Sequence, residues 1–127
     1  MAGFSDYLET KVLEHVFGGT SYTSPSTLYV ALFTVVPSDG STVVEVSGGN
    51  YARQTGAFTI SGGTASNTSA IEYATATANY GTVVAVGIYD ASTSGNLLAS
   101  GALNSTKVVS TGDIFRFNAS DLNVTLA

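Results

Sequence analysis

The sequence predicts a mainly β protein: an antiparallel β-sandwich or barrel-like domain of about eight to nine short strands with one N-terminal α-helix. Three observations predict it. Short apolar runs, alternating or continuous, recur along the chain. Clusters of Gly, Asn, Asp, Ser and Pro separate them at close intervals. Helical spacing of apolar residues appears near the N-terminus and not again. At 127 residues the chain can bury a real core and reads as a single domain over 1–127, with the helix at about 5–17 and the β region at about 27–126.

The helix spans Ser5–Phe17. Leu8, Val12, Leu13, Val16 and Phe17 recur three or four residues apart and form one apolar stripe. Ser5 or Asp6 caps its start, acids sit in the first turn where the dipole favours them, and Gly18-Gly19 ends it. About four turns of helix are marginal alone, so the stripe must pack on the sheet or on another subunit.

Thr20–Ser26 is a polar loop. Thr27–Thr34 is a strand with Leu28, Val30 and Leu32 on one face and Tyr29, Ala31 and Phe33 on the other. Pro37-Ser38-Asp39-Gly40 is a turn signal. Val43–Val46 is a candidate edge strand, Ser47–Asn50 a Gly-Gly loop, and Tyr51–Ile60 a strand with a break at Gly56. Ser61–Ser69 lacks apolar residues beyond Ala65 and reads as a loop or exposed hairpin tip. Ala70–Ala74 is a further candidate strand.

The centre of the chain is a hairpin, Thr82–Asp90 and Leu97–Leu103, joined by the turn-forming Asp90–Asn96. In its first strand Val84, Val86 and Ile88 point one way and Val83, Ala85, Gly87 and Tyr89 the other, so both faces are covered. Gly87 marks a bulge or a close approach. Lys107–Ser110 is a separate short strand. Ile114–Phe117 puts Phe115 and Phe117 inward, and Leu122, Val124 and Leu126 alternate in a last strand.

The chain is 44% hydrophobic but only 10% charged. Either much of its surface is a contact surface, or Ser, Thr, Asn and Gly solvate it. Net charge is −5, and Lys11, Arg53, Lys107 and Arg116 form no run, which argues against nucleic acid as a partner. The absence of Cys removes disulfides and thiolate metal sites and fits assembly in a reducing cytoplasm. Asp6, Glu9, Lys11 and Glu14 break up the N-terminal segment, so it is not read as a secretory signal, and no stretch reaches transmembrane length.

No catalytic motif emerges. His15 is the only histidine; it sits on the helix with Lys11 and Glu14 within one turn, but nothing there names a nucleophile or an orienting role, so it reads as a surface or interface residue. Glu45, Glu72, Asp90, Asp113 and Asp121 are the carboxylates a glycosidase-like pair would draw on, but three lie at turns, where Asp is expected for backbone reasons. The Gly-rich stretches at 47–50 and 61–64 match no phosphate-binding pattern. No cofactor is implied. Among the tyrosines, Tyr29, Tyr73 and Tyr89 read as core or half-buried, and Tyr7, Tyr22, Tyr51 and Tyr80 as exposed contacts. Absence of Trp weakens a carbohydrate-binding module.

The opening MAGFSDYLETKVLEHVFGGTSYTSPSTLYVALFT, the block GGNYARQ, the central YGTVVAVGIYDASTSGNLLASGAL and the closing VVSTGDIFRFNASDLNVTL together resemble small tail fibre proteins of tailed bacteriophages. The resemblance implies a non-enzymatic virion structural protein, assembled in the host cytoplasm beside other tail or capsid proteins, a homo-oligomer, with a host-surface receptor among its partners and no membrane insertion. Capsid decoration is the alternative within that class. The assembly surface expected is the helix and the start of the loop after it: Tyr7, Leu8, Val12, Val16, Phe17 and Tyr22. The exposed loop expected is Asn67, Thr68 and Ser69.

Overall fold

The chain begins with a strand that its sequence did not announce. The computed structural model describes residues 2–37 and 43–125. In chain order the elements are β1 (Ala2–Phe4), α1 (Asp6–Val16), β2 (Leu28–Phe33), β3 (Gln54–Gly56), β4 (Phe58–Ser61), β5 (Thr64–Asn67), β6 (Ile71–Glu72), β7 (Gly81–Tyr89), β8 (Leu97–Val109), β9 (Arg116–Phe117) and β10 (Asn123–Thr125). Part of the expected Pro37–Gly40 turn, and Leu126 of the last strand, lie outside the described residues.

Among the described residues, eight strands form one sheet in the order β3-β2-β7-β8-β1-β10-β5-β4, and β6 pairs with β9 beside it. β3 and β4 sit at opposite ends of that order, yet only Ala57 separates them in the chain. The two edges therefore come together at Ala57, and the sheet is a nearly closed barrel. The pairings within it are antiparallel except β1 with β10, where Ala2 faces Val124. β1 thus stitches the end of the chain to the central hairpin, with Gly3 opposite Ser100 on its other side.

The central hairpin is as expected in type but longer. β8 runs from Leu97 through Val109, so the separate strand expected at Lys107–Ser110 is its continuation. A register shift between Val83 and Ala85 turns Val83 onto the same face as Val86, which corrects the expected alternation. Val30, Leu32, Val83, Val86, Tyr73, Phe115 and their neighbours form the main core. Ile88, Ala99 and Val124 form a second cluster, and Phe58 packs against both. The opposite face of β2 and β7 buries Ala31, Phe33, Ala85 and Tyr89.

Gly87 is explained by close approach. A Cβ there would lie 2.5 Å from the Phe33 ring. The tyrosine expectations need correction. Tyr80 is buried at 5% exposure, and Tyr51 stacks on Tyr73 with ring centroids 6.0 Å apart. Both join the main core because their rings meet other rings, Tyr51 against Tyr73 and Tyr80 edge-on to Tyr51 at 5.8 Å, while their hydroxyls find Glu45 and Ala74 O as acceptors. Val43–Val46 makes one bridge, Phe33 to Glu45, rather than a full strand.

Candidate functional site

The expected assembly surface is built on α1. Ser5 caps it from an extended conformation, accepting a hydrogen bond from Leu8 N–H at 3.2 Å and donating its hydroxyl to Leu97 O at 2.5 Å. One residue therefore starts the helix and ties it to β8. At the other end Gly18 N–H and Thr20 N–H both donate to Glu14 O at 3.0 Å, with Gly19 at φ +74° making the reversal. Tyr22 N–H then donates to His15 Nδ1 at 3.1 Å, folding the next loop back along the helix. His15 is occupied in this backbone contact.

Of the residues expected there, Tyr7, Leu8, Val12 and Tyr22 are half-buried. Lys11 Nζ lies 5.7 Å from the Tyr7 ring centroid. Burial, with Tyr7 nearby, pushes the Tyr22 hydroxyl up. Val16 and Phe17 are exposed, Phe17 at 83%, and Leu13 joins them at 58%. No residue of α1 is buried. The sheet covers only one side of the stripe, and its Leu13–Phe17 end projects into solvent.

The expected exposed loop divides. Thr68 and Ser69 are exposed, but Asn67 is buried at 1% exposure. Ser61–Ser69 is mostly the β4–β5 hairpin, turning at Gly62-Gly63, and β5 lies inside the sheet between β4 and β10. Asn67 donates to Ser69 O and Asn118 O, both at 2.9 Å, and accepts from Leu122 N–H at 2.8 Å. A side chain expected to face solvent instead satisfies the backbone of two loops, because its amide matches two carbonyls and an N–H that no strand partner reaches.

The residues that sequence reasoning did not assemble are Glu45, Tyr51 and Arg53. They stand on either side of the Ser47–Asn50 loop, whose Gly48, Gly49 and Asn50 all take positive φ and reverse the chain. Arg53 Nε and Nη2 both reach the Glu45 carboxylate at 2.9 Å, a two-point pair. Arg53 Nη1 donates to Ala91 O and Ser94 O, and its guanidinium lies 3.7 Å over the Tyr89 ring. The Tyr51 hydroxyl donates to Glu45 Oε2 at 2.6 Å and accepts from Leu32 N–H at 3.0 Å. An acid and a base eight residues apart across a Gly-rich reversal was the available signal.

Electrostatically the cluster is a closed clasp. Burial works to raise the Glu45 carboxyl, and the bonds from Arg53 and Tyr51 outweigh it, holding the group below the usual carboxylate range. Burial and then the bond to Glu45 push the Tyr51 hydroxyl far up. The Arg53 donors are spent on Glu45 and two carbonyls, so the clasp ties the β7–β8 turn to the 45–53 segment. A cavity of about 320 Å³ opens beside it, lined in part by Ser47, Ser92, Thr93 and Ser94.

The other weighed carboxylates stay apart. Glu72 pairs with Arg116 at 3.3 Å on the surface. Asp90 accepts from Asn96 N–H, Asp113 from Ser110 N–H and Asp121 from Asn118 N–H, each closing its own turn. Among the described residues no group of three or more His, Cys, Asp or Glu side chains gathers where a metal would sit, and no helix is long and apolar enough to cross a membrane.

A protein-family model described as podophage GP4 fiber I protein gp80 matches residues 3–125. No curated protein matches the chain.

Proposed function

The chain belongs to the podophage GP4 fiber I protein family, and from that premise we propose that it serves as a non-enzymatic structural subunit of the fibre, associating with itself and with other virion proteins. The family match over nearly the whole chain carries this reading. The exposed Leu13, Val16 and Phe17 support α1 as a contact surface, together with Tyr7, Leu8, Val12 and Tyr22 beside them. Low overall charge supports the same view, since contact surfaces shed charge at their centres. Thr68 and Ser69, exposed just past the end of β5, support contact with a host surface there.

The test is gold labelling of intact particles with antibody against this protein. Label confined to the tail is the expected result. Label spread over the head would replace the fibre reading with capsid decoration, and no label would count against both.

A further inference from the structure

The clasp also shapes the cavity beside it. Arg53 holds both walls, bonding Glu45 on one side and the carbonyls of Ala91 and Ser94 on the other. The 45–53 segment and the β7–β8 turn thus enclose a space of about 320 Å³, within the range of about 300–1,000 Å³ for small-molecule sites. Its lining is graded. The Arg53 side chain is 7% exposed and that of Glu45 24%, whereas Ser47, Ser92 and Thr93 are exposed. The ion pair therefore lies at the inner end and three hydroxyls at the rim.

The groups left over select a class of ligand. Glu45 matches the charge of Arg53, so an anion finds no free cation, and a cation would meet the guanidinium. Glu45 Oε2 accepts from both Arg53 Nε and the Tyr51 hydroxyl. Oε1 accepts from Arg53 Nη2 alone among the described residues, which leaves it one acceptor position. The rim hydroxyls both donate and accept. Tyr51, half-buried, lines the same space and adds an apolar ring to it. Neutral hydroxyls carried on an apolar C–H frame answer all of these groups at once.

We propose that this cavity binds one residue of a neutral saccharide. A ring hydroxyl donates to Glu45 Oε1, its neighbours exchange hydrogen bonds with Ser47, Ser92 and Thr93, and the C–H face of the ring packs on Tyr51. Tyr51 takes the place that the missing Trp would have in such a site. Because Arg53 fixes both walls beforehand, binding has little ordering left to do. A saccharide of the host surface is the source, and that source rests on the host-contact part of the fibre reading.

The test titrates the isotope-labelled full chain with the methyl α-glycosides of glucose, mannose and galactose, read by amide chemical shifts. The expected result is saturable shifts at Gly48, Ser92, Thr93 and Ser94 with at least one of the three, at a dissociation constant of about 1–10 mM. Glu45→Ala removes the acceptor, and Thr93→Phe sets a ring at the mouth while leaving every clasp residue in place. Each should weaken binding roughly tenfold or more, and Thr93→Phe decides the matter if Glu45→Ala does not fold. No shift with any glycoside, shifts confined to other surfaces, inorganic phosphate moving the same amides, or binding indifferent to Thr93→Phe overturns the site. Slower adsorption to host cells by particles carrying Thr93→Phe supports the host surface as the source, and unchanged adsorption overturns that source. Tail labelling of particles without any glycoside shift would fail this site and leave the fibre location standing; head labelling with the shifts present would do the reverse.

Discussion

Gly87 lies beneath the Phe33 ring, and Phe33 is fully buried. A methyl group at 87 has nowhere to go unless that ring moves. Gly87→Ala is expected to destabilise by about 1–3 kcal/mol, as overpacking of a close-packed site does, measured by urea unfolding. The Glu45 clasp predicts a pH dependence. Its carboxyl titrates lower in the folded chain than in the unfolded one, so its stabilisation is complete above the ordinary Glu value and is lost as pH falls through the folded value. Glu45→Gln should be less stable at neutral pH and show a flatter loss of stability on acidification than wild type. An acid limb of equal steepness in both would sink the clasp as the source of that dependence. Asn67 is the third residue of this kind. Asn67→Asp sets a carboxylate against the carbonyls of Ser69 and Asn118, and a loss of roughly 2–4 kcal/mol is expected.

α1 separates folding from contact within one element. Its start is fastened by Ser5, which caps the helix and bonds β8. Ser5→Ala should cost about 1–2 kcal/mol in thermal or denaturant unfolding. Its far end buries nothing, so Val16→Ser with Phe17→Ser should leave stability within about 0.5 kcal/mol. The same double variant should fall in incorporation into particles, read by immunoblot of purified virions. Full incorporation would remove the helix from the assembly surface.

At the scale of the molecule, closure depends on contacts between distant parts of the chain. β1 fills the place between β8 and β10, and Ala57 brings the two edges of the sheet together. Deleting residues 1–4 removes a strand from the middle of the sheet rather than a fringe. The deleted chain is expected to lose its cooperative thermal transition, followed by circular dichroism. A melting curve like that of wild type would mean that β8 and β10 close without β1.

The strands of the central hairpin, the alternating faces of β2, the bounds of α1 and the mainly β class were legible because they arise from local periodicity and turn chemistry, which reside in neighbouring residues. Phe115 and Phe117 inward with Arg116 outward was legible for the same reason. β1 was not: Ala2–Phe4 has no pattern of its own and becomes a strand only because β8 and β10 leave a slot for it. Asn67, Tyr51 and Tyr80 likewise took their burial from partners remote in sequence, which no local signal encodes. The break near Gly56 was visible in the sequence. That its two halves lie at opposite ends of one sheet, leaving β4 with an open edge, was decided by the tertiary structure, since edge and centre are properties of which strands meet.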